Sequence, residues 1–307
     1  MSTPIDEKRV VAVVGATGRQ GGGLARSIAA DPGGAFTVRA ITRDAGSPRA
    51  KELAGLGAEV VTADLDDPGS VEAAFAGAYG AFCVTFSQEH PPERERAHAA
   101  TMAAAARDTG VAHVVWSTFE DTRTVVPPGD DRVPLLAGGY RVPHYDAKGA
   151  ADAEFAGVPT TFLRTAFFWE NLLDGGGPRR GEDGTLAVAL PLGSARLPGI
   201  AVTDIGRCAH AILRRPELEG ETLSITGGNL TGAELAAGFA DVLGEPVRFD
   251  DVPVDVLPAD LANMFRFTRD FEAAYAGARD PAEVRKLHPG LLTFRQWLSE
   301  TLEGTSR

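Results

Sequence analysis

Short apolar runs alternate with amphipathic stretches along the first half of the chain. The apolar runs have the length and the β-branched content of buried strands, and they cover 10–14, 37–42, 59–62, 81–85, 113–117 and 160–164. Helix-like stretches separate them, at 23–30, 48–56, 70–76, 93–109 and 146–155. Strands that alternate with helices predict an α/β protein with a doubly wound parallel sheet, covered by helices on both faces.

The pattern changes after residue 164. Residues 166–196 are rich in glycine and proline, which favour turns and loops over regular elements. Apolar runs at 200–203 and 222–225 then predict two strands that return to the main sheet, on either side of a helix at 205–213 with Asp204 as its N-cap. Further helix patterns follow at 231–243, 260–277 and 293–301.

These patterns predict two domains in the 307 residues. Residues 1–165 and 200–226 form a Rossmann domain, and residues 166–199 and 227–307 form a smaller, mainly helical C-terminal lobe. In such an architecture a ligand binds outside the carboxyl ends of the strands. A second lobe beside that edge would form a cleft of the kind that holds small molecules.

A glycine-rich turn ends the first strand and leads directly into a helix pattern. Its sequence is Gly15-Ala16-Thr17-Gly18-Arg19-Gln20-Gly21. Glycines allow a tight turn and a close approach of the backbone to a pyrophosphate, whose charge is attracted by the N–H groups at a helix N-terminus. An ordinary strand-to-helix loop is the alternative. The strand–turn–helix context favours a dinucleotide site, with cofactor contacts from Gly15, Thr17, Gly18, Arg19, Gln20 and Gly21.

The end of the second strand indicates which dinucleotide is bound. An NAD site usually has Asp or Glu there, to bond the ribose 2′-hydroxyl, whereas this chain has Ile41-Thr42-Arg43. A guanidinium suits a 2′-phosphate, so Arg43 predicts NADP(H). The alternatives for Arg43 are a solvated loop residue or an ion pair with Asp44.

The ends of the next two strands predict the rest of the cofactor site. Asp64 and Leu65 follow the third strand, where they would contact the adenine, and Asp66 or Asp67 is expected to cap the next helix. Thr85 and Phe86 end the fourth strand, at the edge where the ribose and nicotinamide should lie.

Several motifs over residues 10–297 resemble those of the NmrA-like family of atypical short-chain dehydrogenases/reductases. Within that family they resemble the branch that contains the human NADPH-sensing protein more than they resemble the fungal nitrogen regulator. They are Gly15–Gly21, Ile41–Arg43, Gly57–Val61, Val142–Lys148, Phe168–Leu173 and Leu261–Phe267. The resemblance implies NADP(H) binding, with Arg43 at the 2′-phosphate, Lys148 at the nicotinamide ribose and Phe168 beside the nicotinamide. Where the family has a second basic residue this chain has Ser47, and Arg49 is the candidate to replace it.

The catalytic pattern of active short-chain reductases is incomplete in this chain. They use Tyr-x-x-x-Lys on one helix face together with a serine, and Lys148 and Ser117 are present. The tyrosine position is occupied by His144, while Tyr145 is one residue out of register. His144 could act as a general acid, since the pKa of histidine lies close to neutral. Alternatively, His144 is a structural residue after Pro143, and Ser117 makes only strand-end hydrogen bonds.

Two functions therefore stay open. The first is a redox sensor or regulator that binds NADP(H) and has a degenerate catalytic dyad. The second is an NADPH-dependent reductase of a quinone, an enone or another small carbonyl compound. The binding partner that we expect is a small-molecule substrate for the reductase or a regulatory protein for the sensor. The chain could in addition form a homodimer.

Composition narrows these alternatives. The net charge of −12 argues against direct nucleic-acid binding, which needs a basic surface, and no apolar run is long enough to span a membrane. Cys83 lies in a strand pattern and is expected to be a small buried residue. Because neither the two cysteines nor the remaining histidines have metal-ligand spacing, we expect no metal site, no disulfide framework and a cytoplasmic location. These residues are Cys83, Cys208, His90, His98, His113, His210 and His288.

Overall fold

A computed structural model describes residues 8–86 and 91–305, so His90 and the first seven residues lie outside it. The chain divides into two compact units. The first unit comprises the chain up to Thr118 together with Ala147–Leu163 and Ile205–Leu223. The second comprises Phe119–Asp146, Arg164–Asp204 and the chain from Ser224 onward. The predicted domains differ from these units chiefly at 119–146, a segment whose buried apolar side chains belong to the hydrophobic core of the second unit.

The observed elements follow the predicted alternation of strands and helices. The strands are β1 (Arg9–Val14), β2 (Phe36–Thr42), β3 (Glu59–Thr62), β4 (Gly80–Cys83), β5 (His113–Thr118), β6 (Thr160–Arg164), β7 (Phe167–Phe168), β8 (Arg179–Arg180), β9 (Leu186–Leu190), β10 (Leu197–Ile200), β11 (Thr222–Ser224), β12 (Gly228–Leu230) and β13 (Val247–Asp251). The helices are α1 (Arg19–Ala29), α2 (Pro48–Gly55), α3 (Pro68–Phe75), α4 (Pro92–Asp108), α5 (Thr122–Val125), α6 (Pro143–Ala151), α7 (Val202–Leu213), α8 (Gly232–Leu243), α9 (Ala259–Asp270), α10 (Glu272–Tyr275), α11 (Pro281–Leu287) and α12 (Phe294–Thr305). Short 3-10 turns occupy Ala137–Gly139, Asp152–Phe155, Trp169–Leu172, Pro216–Leu218 and Val254–Val256.

The main sheet has seven strands in the order β11-β6-β5-β4-β1-β2-β3. The pairings among β1 to β5 are parallel, and Val13 of β1 lies opposite Ala40 on one side and Phe82 on the other. Strands β2 and β3 lie on one side of β1, and β4, β5 and β6 lie on the other, so the strand order reverses between β1 and β4. In such folds ligands bind outside the carboxyl ends of the strands at this switch point. The doubly wound α/β prediction is therefore confirmed.

Two of the predicted helix caps can be compared with the structure. Asp67 caps α3, since its side chain accepts a hydrogen bond from Ser70 N, as expected. Asp204 does not precede α7 but is its third residue, so its prediction as an N-cap is wrong. Its buried carboxylate instead accepts a hydrogen bond from Leu292 N at 2.8 Å and lies 3.2 Å from His288 Nε2.

The second unit contains helices and, in addition, two three-stranded sheets that the sequence pattern does not predict. Their orders are β12-β10-β7 and β13-β9-β8. The predicted return of residues 222–225 to the main sheet is confirmed by β11, but that of 200–203 is wrong: Ile200 is the last residue of β10 in a small sheet, and α7 begins at Val202. Three short strands also lie within 166–196, which the composition predicts as irregular.

Candidate functional site

The glycine turn after β1 brings three backbone segments into close contact. Gly15 has a φ of +63°, a conformation that favours glycine, and a Cβ atom there would lie 2.6 Å from the Phe86 ring. Gly18 N donates to Gly15 O at 2.8 Å. A Cβ atom on Gly21 would lie 2.5 Å from Gly15 O and 2.8 Å from Val14 O. Only glycines therefore let α1 begin so close to the end of β1.

The N-terminus of α1 has the character of an anion site. Its N-cap is Gly18, and among the described residues no side chain caps the helix and no acidic residue lies in its first turn. The first N–H groups of a helix have no partner within the helix, and its dipole attracts anions. By contrast, Ser47 caps α2 and Asp67 caps α3. The cradle and this uncapped helix together fit a pyrophosphate.

The side chains of the turn are tied to the neighbouring strands of the first unit. Ser117 at the end of β5 donates to Gln20 Oε1 at 2.8 Å, and Thr17 Oγ1 lies 3.5 Å from Thr42 Oγ1. Ser117 is thus brought next to the glycine turn, and its hydroxyl contacts α1 as well as lying at a strand end.

Arg43 is exposed immediately after β2. The neighbouring Asp44 carboxylate accepts a hydrogen bond from Gly46 N at 2.8 Å. Ser47, at the position where the family has a second basic residue, accepts a hydrogen bond from Ala50 N and caps α2. Arg49 donates from Nη1 to Thr17 O at 3.2 Å, which places a guanidinium beside the glycine turn in the same unit.

Asp64 and Leu65 follow β3 at the same carboxyl edge. Asp64 is exposed and its carboxylate accepts a hydrogen bond from Asp66 N at 3.0 Å, while Leu65 packs partly buried against the core of the first unit. Asp66 bonds Arg94 and lies 2.9 Å from His98 Nε2. The hydrogen bond with Arg94, followed by that with His98, lowers the pKa of Asp66 to about 2.

Lys148 belongs to a buried cluster at the end of β4. Its Nζ donates to Thr85 O at 3.0 Å and to Thr85 Oγ1 at 2.6 Å, and it lies 3.0 Å from Glu95 Oε1. Thr85 Oγ1 in turn donates to Glu95 Oε1 at 2.6 Å. Lys148 is 5 % exposed, Thr85 is 4 % exposed and Glu95 is 1 % exposed. The structure therefore brings together two predicted site residues and a carboxylate that the sequence reasoning missed.

The helix period of α4 is the sequence signal that could have found Glu95. Counting from it, the buried apolar residues follow at i+4, i+7 and i+11, as Ala99, Met102 and Ala106. This spacing puts a carboxylate on the buried face of the helix, although the charged sequence around it is typical of a solvated helix start.

The remaining predicted residues lie in the second unit. Tyr145 is 3 % exposed, stacks on Phe119 at 4.2 Å between ring centroids, and has its hydroxyl 2.8 Å from that of Tyr275. Burial, followed by the effect of Tyr275, raises the pKa of Tyr145. His144 contacts Tyr145 edge-on at 4.7 Å, and Phe168 belongs to β7. Helix α6 carries His144 and Tyr145 in its first turn and Lys148 one turn later.

Other candidate chemistry can be assessed across the described part of the chain. No group of three or more His, Cys, Asp or Glu residues within it could hold a metal ion, and no helix within it is long and apolar enough to cross a membrane. Cys83 is completely buried, as expected, and burial raises the pKa of its thiol. His113 Nε2 lies 2.8 Å from Thr161 Oγ1, and His210 Nδ1 lies 3.1 Å from Ser27 Oγ.

Comparison with known proteins identifies the family. The sequence profile of the NmrA-like family matches residues 7–298. The chain belongs to the NmrA-like family. A relative in this family, the NmrA-like family domain-containing oxidoreductase FrzB of Cladobotryum sp, is 31 % identical over 305 residues, which cover 90 % of this chain and 88 % of FrzB.

Solved structures of NmrA, a negative transcriptional regulator, have the same fold. Its complex with NAD matches with a TM-score of 0.81 and 24 % identity, and its complex with NADP with a TM-score of 0.78 and 23 % identity. Each match covers 98 % of both chains. At these identities the likeness of the NmrA-like chain to NmrA shows the fold alone.

Proposed function

We propose that this NmrA-like chain binds NADP(H) at the carboxyl edge of the first unit's sheet and acts as a redox sensor or regulator. The observation that carries the proposal is the uncapped N-terminus of α1 behind a turn that only glycines allow, with Arg43 where an NAD site has an acid. The complexes of NmrA with NAD and NADP support a nicotinamide dinucleotide as the ligand class.

Each predicted residue has a role in this proposal that matches its chemistry. The turn would hold the pyrophosphate, the guanidinium groups the 2′-phosphate, the end of β3 the adenine, and the end of β4 with α6 the nicotinamide ribose. In that order the residues are Gly15, Thr17, Gly18, Arg19, Gln20 and Gly21, then Arg43 and Arg49, then Asp64 and Leu65, then Thr85, Phe86 and Lys148, with Phe168 beside the nicotinamide. These residues would bind and orient the cofactor, whose reduced form would supply a hydride if the chain acts as a reductase.

Titration of the protein with NADPH and NADH tests the cofactor. Arg43→Ala removes hydrogen bonds between charged groups, each worth about 1.5–3 kcal/mol, so we expect NADPH to bind about ten- to a hundredfold more weakly while NADH is unaffected. Arg107→Ala, at an exposed position in the last turn of α4, is the control and should match the wild type. A wild type that binds neither dinucleotide, or equal losses for both, would contradict the proposal.

The regulatory role is supported by the tyrosine of α6. The tyrosine of α6, Tyr145, is bonded to Tyr275 inside the second unit, and the resemblance to the NADPH-sensing branch points the same way. A sensor must respond differently to the two redox forms. We therefore expect NADPH and NADP⁺ to differ in affinity, in amide hydrogen exchange or in the oligomeric state that they favour. Identical values for both forms in all three measurements would remove the basis for sensing.

A reductase of a quinone, an enone or another small carbonyl compound is the second candidate. FrzB is named an oxidoreductase, and Lys148 lies at the strand edge where the nicotinamide is proposed to bind. Ser117 and His144 are the further catalytic candidates, and histidine exchanges protons near neutral pH. Purified protein should then oxidise NADPH with some members of a carbonyl panel, and Lys148→Ala should abolish that turnover. No oxidation above background across the panel would count against this activity.

The cellular location of the protein and its partners are also proposed here. A cytoplasmic location would supply NADP(H), and a regulatory protein or a second copy of the chain would receive the signal of the sensor. Light scattering of the purified protein with and without NADPH would show whether a homodimer forms and whether the cofactor changes it.

A further inference from the structure

The buried cluster at the end of β4 holds the ammonium of Lys148 from two sides. An ammonium has three donors; Lys148 donates to Thr85 O and Thr85 Oγ1, and Glu95 Oε1 lies 3.0 Å from Nζ as its ion-pair partner. The ring of Trp116 lies 5.6 Å from Nζ. Among the described residues, Glu95 supplies the carboxylate within ion-pair distance of Lys148, so the two charges compensate each other where water is largely excluded.

A lysine side chain held in this way has lost most of its conformational freedom. Its four-carbon stem is flexible and its ammonium has no preferred direction of its own. Glu95 from α4 and Thr85 after β4 together give the Nζ atom one position. The next residue, Phe86, has its ring against Gly15, so this position lies at the strand edge beside the glycine turn.

We propose that Glu95 is a positioning residue, which holds the Lys148 ammonium where the nicotinamide ribose binds and thereby sets the affinity for the nicotinamide half of NADP(H). The inference rests on the proposed cofactor function. It predicts that the adenine half does not depend on Glu95, because Arg43 and the glycine turn bind that half from β1 and β2.

A purely structural role for Glu95 makes a different prediction. If Glu95 only neutralises a buried charge and joins α4 to the rest of the unit, its replacement would lower stability and weaken every ligand of the site alike. Measuring the binding of each half of the cofactor therefore distinguishes a positioning role of Glu95 from a purely structural one. Adenosine 2′,5′-bisphosphate contains the adenine and the 2′-phosphate but lacks the nicotinamide ribose, so it probes the first half alone.

The experiment measures the affinities of NADPH and adenosine 2′,5′-bisphosphate for the full chain and four variants. Glu95→Gln should weaken NADPH about tenfold, the effect of losing one charged hydrogen bond, and should leave the bisphosphate unchanged. Lys148→Met should weaken NADPH at least as much, and the double variant no more than Lys148→Met alone, since Glu95 acts through Lys148. Glu93→Gln, an exposed position in the same helix turn, should match the wild type.

The outcomes that would overturn the inference are distinct from those that would overturn cofactor binding. Unchanged NADPH affinity in Glu95→Gln, equal losses for both ligands, or additive losses in the double variant would each overturn it. If the wild type binds neither ligand, the proposed function itself fails. Should Glu95→Gln not fold, Glu95→Asp keeps the charge on a shorter side chain, and we expect it to weaken NADPH but not the bisphosphate. Equal losses in that variant would also overturn the inference.

Discussion

Replacing Gly21 by alanine adds one methyl group where the first turn of α1 passes the end of β1. The added Cβ would lie 2.5 Å from Gly15 O, 2.8 Å from Gly15 C and 2.8 Å from Val14 O. Favourable contacts between such atoms are about 3.5–4.0 Å long, so the helix must move away by about 1 Å. All three neighbours are backbone atoms of a buried strand and its turn, and they cannot rotate aside as a side chain would.

The expected cost has two parts. Forcing an extra methyl group into a packed region typically costs about 1–3 kcal/mol, which should lower the free energy of unfolding by that amount. The displacement also moves the N–H groups of the first turn of α1 relative to the strand. Loss of one charge-assisted hydrogen bond to the pyrophosphate is worth about 1.5–3 kcal/mol, so NADPH should bind about ten- to a hundredfold more weakly.

Urea unfolding and NADPH titration measure the two parts separately. Gly55→Ala is the matched control, because Gly55 ends α2 and a Cβ atom there meets nothing within 4 Å. It should be neutral or slightly stabilising, since alanine reduces the entropy of the unfolded chain, and it should leave NADPH binding unchanged. If Gly21→Ala kept both the stability and the NADPH affinity of the wild type, the account of the glycine cradle would be refuted.

Two further predictions concern the second unit. Tyr145→Phe removes the hydroxyl that bonds Tyr275 and should cost about 1 kcal/mol in urea unfolding without changing NADPH affinity or turnover; loss of turnover would instead assign Tyr145 a catalytic role. Thr231→Ala removes the cap of α8 and should cost about 1 kcal/mol at neutral pH. Because hydrogen bonds from the Thr231 backbone and side chain lower the pKa of Glu234, this cost should shrink as the pH falls through the folded-state pKa of that carboxyl, and an equal cost in acid would contradict the linkage.

The features that the sequence predicts correctly depend on neighbours along the chain. The strands of the sheet are marked by runs of apolar residues, and the glycine turn by the order strand, turn and helix within a few residues. Asp67 could be recognised as a cap because its partner, Ser70 N, is three residues away. Such signals survive in the sequence because local geometry alone produces them.

The features that it misses depend on partners far along the chain. The carboxylate of Asp204 bonds Leu292 N, 88 residues later, and the hydroxyl of Tyr145 bonds that of Tyr275, 130 residues later. A short apolar run likewise does not encode its partner strand, so residues 197–200 could not be assigned to a small sheet in advance. The helix period of α4 marks Glu95 as buried, but its pairing with Lys148 belongs to the same class, because Lys148 lies on another helix far along the chain.

Helix α6 leads to one more conclusion about the choice between regulator and reductase. Successive helix residues differ by about 100° in direction, so Tyr145, three residues before Lys148, and the residue four before it lie about 60° and 40° from the direction of Lys148, on opposite sides of it. That second position belongs to His144. Burial separates the two residues: the ring of Tyr145 stacks on Phe119 in the core of the second unit, whereas His144 is partly exposed. With the Tyr145 hydroxyl bonded to Tyr275, His144 is the candidate proton donor in the first turn of α6. The reductase requires such a donor, whereas the sensor needs only the lysine.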